Sequence, residues 1–424
     1  MKKLFSLGLV FAMLFLTAAC GADEEVVDEL QDDIESMQQE IAQLQQQIDS
    51  LQLILGDKGE EIDSLQEELD ALKAKVYDGA LTFTVDTGET VLSEVVHYRD
   101  NDDLTPFGML LMAYDVEYSE TDFGYMIDAV DTLDAPHGSF IHISKNDTSL
   151  DTGLDAASYE DGDHFHFERQ WWDPIAESLY DSIHLFTNNH LSQYIEPESV
   201  NLHVLAGLAH QDMLEDHAFT LKEDSELETA GDLSNGILKR MILGESYEGL
   251  QSDLDALAST DWLYPAALSM IALHDYEDSD FETDFLSKVE GTTIEETDHD
   301  SLIMAAFALS LLESEAAWDH YDAIVEHLLD SPHDFEYGPN GTSYAMLLML
   351  FAYEGIDIND ESLLEDGKTV LDLLLDYQTE EGAFVYLLDD EDADMAFTTP
   401  QAFLAISYYY AVLGDSDAFL FPAE

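Results

Sequence analysis

The chain has 424 residues, 93 of them Asp or Glu against 13 Lys or Arg, for a formal charge of −80. That balance repels phosphate backbones and excludes nucleic-acid binding; spread along the whole chain, it reads as a solvation device for high salt or alkaline surroundings. Cys20 is the single cysteine, so disulfides, thiol nucleophiles and thiolate metal sites are excluded beyond it, and about 400 residues call for two or more folded units.

The first element is a secretory signal over residues 1–19: Met1-Lys2-Lys3, an apolar run from Leu4 to Leu16, then Thr17-Ala18-Ala19. The cysteine that follows resembles the lipobox of bacterial lipoproteins, with Thr17 where that pattern prefers Leu. The resemblance implies that Cys20 becomes a lipidated N-terminus on the extracellular face of the cytoplasmic membrane of a Gram-positive bacterium. No later stretch reaches the ~20 apolar residues of a membrane span.

Residues 20–78 then read as anchor and stalk. From Val27 to Val76 apolar residues step by four and three, one set holding Ile34, Ile41, Ile48, Leu55, Ile62 and Leu69, the other Leu30, Met37, Leu44, Leu51, Leu65 and Leu72, with Lys58 the misfit. β-Branched residues in the first set and Leu in the second predict a parallel two-stranded coiled coil, hence a homodimer. Gly56-Asp57-Lys58-Gly59 interrupts the pattern without losing phase, which favours a continuous helix of about 75 Å over a hairpin.

Residues 79–172 predict a small α+β domain. Leu81, Phe83 and Val85 share a strand face; helices are expected at Thr90–Tyr98 and from Thr105-Pro106, where a cap precedes a first-turn proline. Three more strands are expected at Tyr125–Val130, Ser139–Ser144 and His164–Glu168, the last after the Glu160-Asp161-Gly162-Asp163 turn. From 173 to 424 helical runs alternate with short polar loops. Runs starting at Tyr264, Asp300, Ser343 and Thr399 are apolar almost all round, whereas Trp318–Leu329 and Ser362–Tyr377 are amphipathic. Inner helices ringed by outer ones fit that alternation.

Two stretches carry a family likeness. Gln378, Gly382-Ala383-Phe384 and Thr398-Thr399-Pro400-Gln401-Ala402-Phe403 resemble the repeat of the terpenoid-cyclase and prenyltransferase α/α toroids, as does the helix around Ile237-Leu238-Lys239-Arg240-Met241-Ile242-Leu243-Gly244. Thr90-Val91-Leu92, Gly124-Tyr125-Met126-Ile127, Gly138-Ser139-Phe140-Ile141-His142-Ile143 and Tyr159–Asp163 resemble the small C-terminal β domain of transcobalamin and intrinsic factor. Here the β domain comes first, Phe140 stands where bacterial β domains often place Trp, and Asn146-Asp147 replaces their Asn-Gly. The fold implied is multidomain, α and α+β: an N-terminal coiled coil, a β-grasp-like domain, then an α/α toroid of helical hairpins.

Such carriers clasp cobalamin between toroid and β domain. The resemblance therefore implies capture of cobalamin, another corrinoid or a similarly bulky ligand for delivery to a membrane transporter, with no covalent cofactor. An adhesion or scaffold module binding protein or cell-wall polymer is the alternative, and a toroid-type extracellular enzyme the third. The lining is expected from Tyr264, His299, Tyr344 and Gln401 at inner-helix starts and from Phe140, His142, Trp171 and Trp172 on the other side, since aromatics with a few polar groups suit a large flat ligand. His210, His217, His274 and His299 are candidates for the toroid histidine that ligates cobalt in some carriers.

Catalytic motifs are not where the families keep them. Asp100-Asn101-Asp102-Asp103 has the letters of the cyclase Asp-x-Asp-Asp motif but falls in the α+β domain, and the prenyltransferase zinc site needs a cysteine. No catalytic or metal-ligating residue is assigned: His164 and His166 share a strand face that reads as solvated, and Asp275–Asp284 lacks the central Gly of a calcium loop.

Overall fold

In the computed structural model, residues 24–88, 90–100, 102–121, 124–195, 199–276, 279–388 and 395–422 are described. The signal at 1–19 and Cys20 lie outside them. The chain begins as one continuous helix, α1 (Glu24–Val76), which runs straight through Gly56 and Gly59, so the predicted hairpin alternative is absent. Along α1, Leu51, Leu55, Ile62 and Leu72 are 58–71% exposed.

The chain divides into two compact units, one running to Asp131 and including Ile143–Phe167, the other made of Thr132–His142 and everything from Glu168. In the first, β1 (Gly79–Asp86) pairs antiparallel with β2 (Val91–Tyr98) along its whole length, Gly79 opposite Tyr98 and Asp86 opposite Val91. This corrects the helix expected at Thr90–Tyr98. The Thr87–Thr90 turn, with Gly88 at φ +83° and the Thr87 N–H donating to the Thr90 carbonyl at 3.0 Å, closes a hairpin, and Val91, Val95 and Val96 suit a pleated surface. Helix α2 (Pro106–Ala113) starts as predicted, with the Thr105 hydroxyl accepting the Gly108 N–H.

β3 (Val116–Thr121), β4 (Gly124–Val130) and β5 (Leu133–Asp134) form a three-stranded sheet. β6 (Ser139–Lys145), β7 (Thr148–Ser149) and β8 (His164–Trp171) complete a five-stranded sheet in the order β2-β1-β8-β6-β7. Asn146 and Asp147, both at positive φ, make the two-residue turn between β6 and β7. Leu81, Phe83, Val85, Phe165 and Phe167 are fully buried on one face, with Phe83 stacked 5.6 Å from Phe165.

The second unit is helical: α3 (Pro174–Asn189), α4 (Ser192–Ile195), α5 (Leu202–His210), α6 (Ala230–Ile242), α7 (Glu248–Leu257), α8 (Leu263–Leu273), α9 (Phe281–Glu290), α10 (His299–Ser310), α11 (Glu315–Asp330), α12 (Gly341–Glu354), α13 (Val370–Leu375) and α14 (Met395–Leu413). Packing follows a circuit: α5 on α6, α6 on α8, α8 on α10, α10 on α12, α12 on α14, and α14 back on α5. Outside it, α3 lies on α14, α7 on α6 and α8, α9 on α8, α11 on α10 and α13 on α12. Four of the six circuit helices, α5, α6, α10 and α12, start on side-chain caps, Asn201, Thr229, Asp298 and Asn340, which satisfy first-turn N–H groups that burial would otherwise orphan.

Two boundaries differ from expectation. The helix predicted over Ser362–Tyr377 is reduced to α13, because Asp366 (φ +53°) and Gly367 (φ +80°) form a tight reversal that pairs Glu365 with Lys368. The inner helix expected from Thr399 begins at Met395 and carries Pro400 inside it. The motif residues are nonetheless built in: Thr399 Oγ1, inside α14, accepts the Phe384 N–H at 2.8 Å and donates to its carbonyl at 3.0 Å, and Gln378 Nε2 donates to Ser182 Oγ at 2.6 Å. Gly382, at φ +93°, sits where a Cβ would come within 2.9 Å of the Phe186 nitrogen.

Candidate functional site

The expected lining residues come together in pairs. Gln401 donates to the Tyr264 hydroxyl at 3.5 Å, and burial raises the pKa of that phenol. Beside them Asp300 is pushed up to about 6, chiefly by burial, against an opposing contribution from the Ser343 side chain. Asp300 Oδ1 and Gln401 Oε1 are both buried without a hydrogen-bond partner among the described residues. His299 is held by its Nε2 at 3.0 Å from the Ser331 carbonyl, and burial lowers its pKa. Its ring meets Phe335 edge-on at 5.2 Å, and Phe335 meets Tyr344 at 5.1 Å. Tyr264, His299 and Tyr344 thus sit in the first turns of α8, α10 and α12, whereas Gln401, expected at a helix start, lies almost two turns into α14 because that helix begins at Met395.

The other four are more open. Phe140 is exposed, with its ring 6.4 Å from His142, and His142 Nδ1 lies 3.1 Å from Glu168 Oε1. Trp171 packs partly buried against the helical core; the Arg169 guanidinium lies 5.8 Å from its ring and 4.7 Å over Tyr180. Trp172 is exposed and edge-on to His137 at 6.0 Å.

Two clefts in the helical unit use some of these groups. One, of about 580 Å³, lies at the starts of α8 and α10, with Tyr264, Lys288 and Asp298 inside and Trp262 and Tyr337 on it. Those last two aromatics are 77% and 74% exposed. The other, of about 610 Å³, is lined by His137, Tyr180, His184, His210, Gln211 and Tyr410. There Tyr180 and His184 lie 4.1 Å apart, one helical turn along α3, and the Tyr410 hydroxyl donates to the His137 carbonyl at 3.1 Å. His210 Nε2 is 3.1 Å from the Leu420 carbonyl, its ring 4.9 Å from Tyr408. Burial lowers its pKa to about 4, against a raising contribution from that carbonyl, so at neutral pH this imidazole carries no charge.

Sequence reasoning named His210 but not its companions. The signal available was the Tyr180–His184 spacing, which puts two rings on one helix face; His137 and Tyr410 come from distant segments and had none. The strand-face and acidic candidates are taken up in local contacts. His164 Nε2 lies 2.8 Å from Thr84 Oγ1, with the His166 ring 6.2 Å away. Asp102 accepts the Arg99 N–H in the turn after β2, and Asp275 accepts from Tyr247 and Gln251. No group of three or more His, Cys, Asp or Glu with the geometry of a metal site occurs among the described residues, and no described helix is long and apolar enough to cross a membrane.

No family model matches the chain, and no curated protein matches it. Among solved structures, a crystal structure of a "putative metal binding protein" from Ruminococcus gnavus ATCC 29149 is 22% identical over 23% of this chain and all of that one, with a TM-score of 0.19. At that level the likeness bears on neither fold nor function.

Proposed function

We propose that this is a lipid-anchored, stalked surface protein that captures a bulky, flat, partly apolar ligand without catalysis and delivers it to a transporter, with a corrinoid as the first ligand to test. On this reading the closed circuit of helices is an α/α toroid, the sheet-bearing unit a β-grasp-like domain, and α1 one strand of a parallel coiled-coil dimer. The observation that carries it is the cleft of about 610 Å³ in the helical unit. It combines ring faces from Tyr180, His184 and Tyr410 with the half-buried, neutral His210, a surface that stacks on a macrocycle. The exposed apolar stripe of α1 supports the dimer, because a lone helix gains nothing from leaving that stripe in water.

Calorimetric titration of the full chain with cobinamide and cobalamin at high salt tests the reading, together with Tyr180→Ala and His184→Ala. One ligand per chain, weakened at least tenfold by each substitution, is expected; titrations insensitive to both would place the ligand elsewhere.

The alternative, binding of a cell-wall polymer, is favoured by a separate observation: Trp262 and Tyr337 stand out beside Lys288 and Asp298 at the cleft of about 580 Å³, and exposed rings next to polar groups suit sugar faces. Retention on insoluble wall material, lost in Trp262→Ala, would select it over the first.

A further inference from the structure

We propose that the cavity of about 390 Å³ beside the start of α5 and the middle of α6 is a second ligand site, built for a small organic monocarboxylate that pairs with Lys239. It is separate from the residues invoked for the bulky ligand. Cations are scarce in this chain: from Glu168 onward they are Arg169, Lys222, Lys239, Arg240, Lys288 and Lys368. Lys222, Lys239 and Arg240 all line this one cavity. In a protein of charge −80, such a concentration is the opposite of what solvation alone would distribute.

Two of the three are already matched. Lys222 Nζ lies 2.9 Å from Asp232 Oδ1, and Arg240 reaches Asp224 Oδ1 at 2.7 Å while its other donors bond the Gly236 and Lys222 carbonyls. Lys239 differs. Its Nζ donates to the Ser199 hydroxyl at 3.0 Å, and no carboxylate lies within ion-pair distance of it among the described residues. Burial first, then the neighbouring Lys222 and Arg240, lower its pKa to about 8. The same ammonium adds to the burial that lowers His203 to about 4. A half-buried ammonium facing like charges is costly until a counter-charge arrives.

The remaining walls define what that counter-charge is attached to. Val200, Leu202, Leu221, Leu227 and Ala396 give an apolar lining, which suits a short hydrocarbon body. Asp232 within the same cavity opposes a second negative charge, so a monocarboxylate fits where phosphate does not. The groups facing Lys239 are Lys222, Arg240, Asp232 and His203. His203 stays neutral above pH 6, leaving Lys239 to set the response near pH 8. Since the carboxylate pairs with the charged amine, binding raises the Lys239 pKa and takes up a proton. Affinity therefore falls about tenfold between pH 7 and pH 9, as the free amine deprotonates.

The test is calorimetry on the full-length protein in detergent, with hexanoate, acetate and inorganic phosphate as probes. Hexanoate is expected to bind at one per chain, acetate more weakly and phosphate not at all. Lys239→Met should weaken hexanoate at least tenfold, and Lys239→Arg should retain it. Should Lys239→Met fail to fold, lysine ¹⁵N NMR of the unaltered protein reads the same amine: one lysine titrating near pH 8 and moving upward with hexanoate. No binding of any probe, phosphate in preference to hexanoate, undiminished binding by folded Lys239→Met, or a Lys239 titration that hexanoate does not move would each overturn the proposal.

Discussion

Helices α1 and α12 are both rich in apolar residues, yet one shows its apolar side chains to water and the other hides nearly all of its own. From Gly341 to Ala352 every residue of α12 is buried, whereas along α1 the heptad positions Leu51, Leu55, Ile62 and Leu72 are more than half exposed. The difference lies in the width of the pattern. A stripe two residues wide per heptad can be covered by one facing helix; a helix apolar all round needs neighbours on every side, which α12 finds in α10, α13 and α14. On our account the facing helix for α1 comes from a second copy.

The largest effect that could break this comparison is on assembly. Removing residues 24–78 should halve the mass in sedimentation equilibrium; a dimer that persists would show that α1 is not what joins the chains. Next comes packing. Leu347→Ala, at a fully buried position of α12, should destabilise the helical unit by about 3–4 kcal/mol in chemical denaturation. Leu51→Ala should leave that transition within about 0.5 kcal/mol while loosening the dimer. If the two substitutions cost the folded units equally, the comparison fails.

Gly382→Ala forces a side chain into a left-handed position against the backbone of Leu185 and Phe186. A loss of about 2–3 kcal/mol is expected, read by the same denaturation curve. A smaller effect follows from pH. His203 and His210 are lowered to about 4 from an ordinary 6.5, so between those values the unfolded chain binds protons that the folded one does not. Their contribution to stability is complete above pH 6.5 and is lost as pH falls toward 4, on the order of 2 kcal/mol each. His203→Phe should flatten the acid limb of a stability–pH profile; an unchanged slope would count against an imidazole held neutral by its surroundings.

Legibility followed locality. The buried helices could be read at Tyr264, Asp300 and Ser343 because a cap or an early proline and all-round apolarity lie within a dozen neighbouring residues. The helix expected at Thr90–Tyr98 is instead the strand Val91–Tyr98 because its partner, β1, decides the matter: eight residues with Val, Ser, Glu and His suit a helix or a strand until a hairpin pairs them. β5 and β7, of two residues each, leave no periodic trace. Within Ser362–Tyr377 the Asp366-Gly367 turn signal was present, and helical periodicity on either side masked it. Of the sites, the first-turn positions of Tyr264, His299 and Tyr344 were legible; the place of Gln401 within α14 and the clefts were not. His137 and Tyr410 meet across 273 residues, and Lys222 reaches the cavity of Lys239 from a separate loop, its only clue being how few cations the chain possesses.

The central claim is ligand capture, and the absorbance of cobinamide during titration with the full chain tests it most directly. A protein side chain entering the cobalt's axial position, or stacking on the ring, should shift the spectrum and saturate at one equivalent per chain. A spectrum unchanged at high protein excess, with no heat in the parallel calorimetric run, would contradict the corrinoid account.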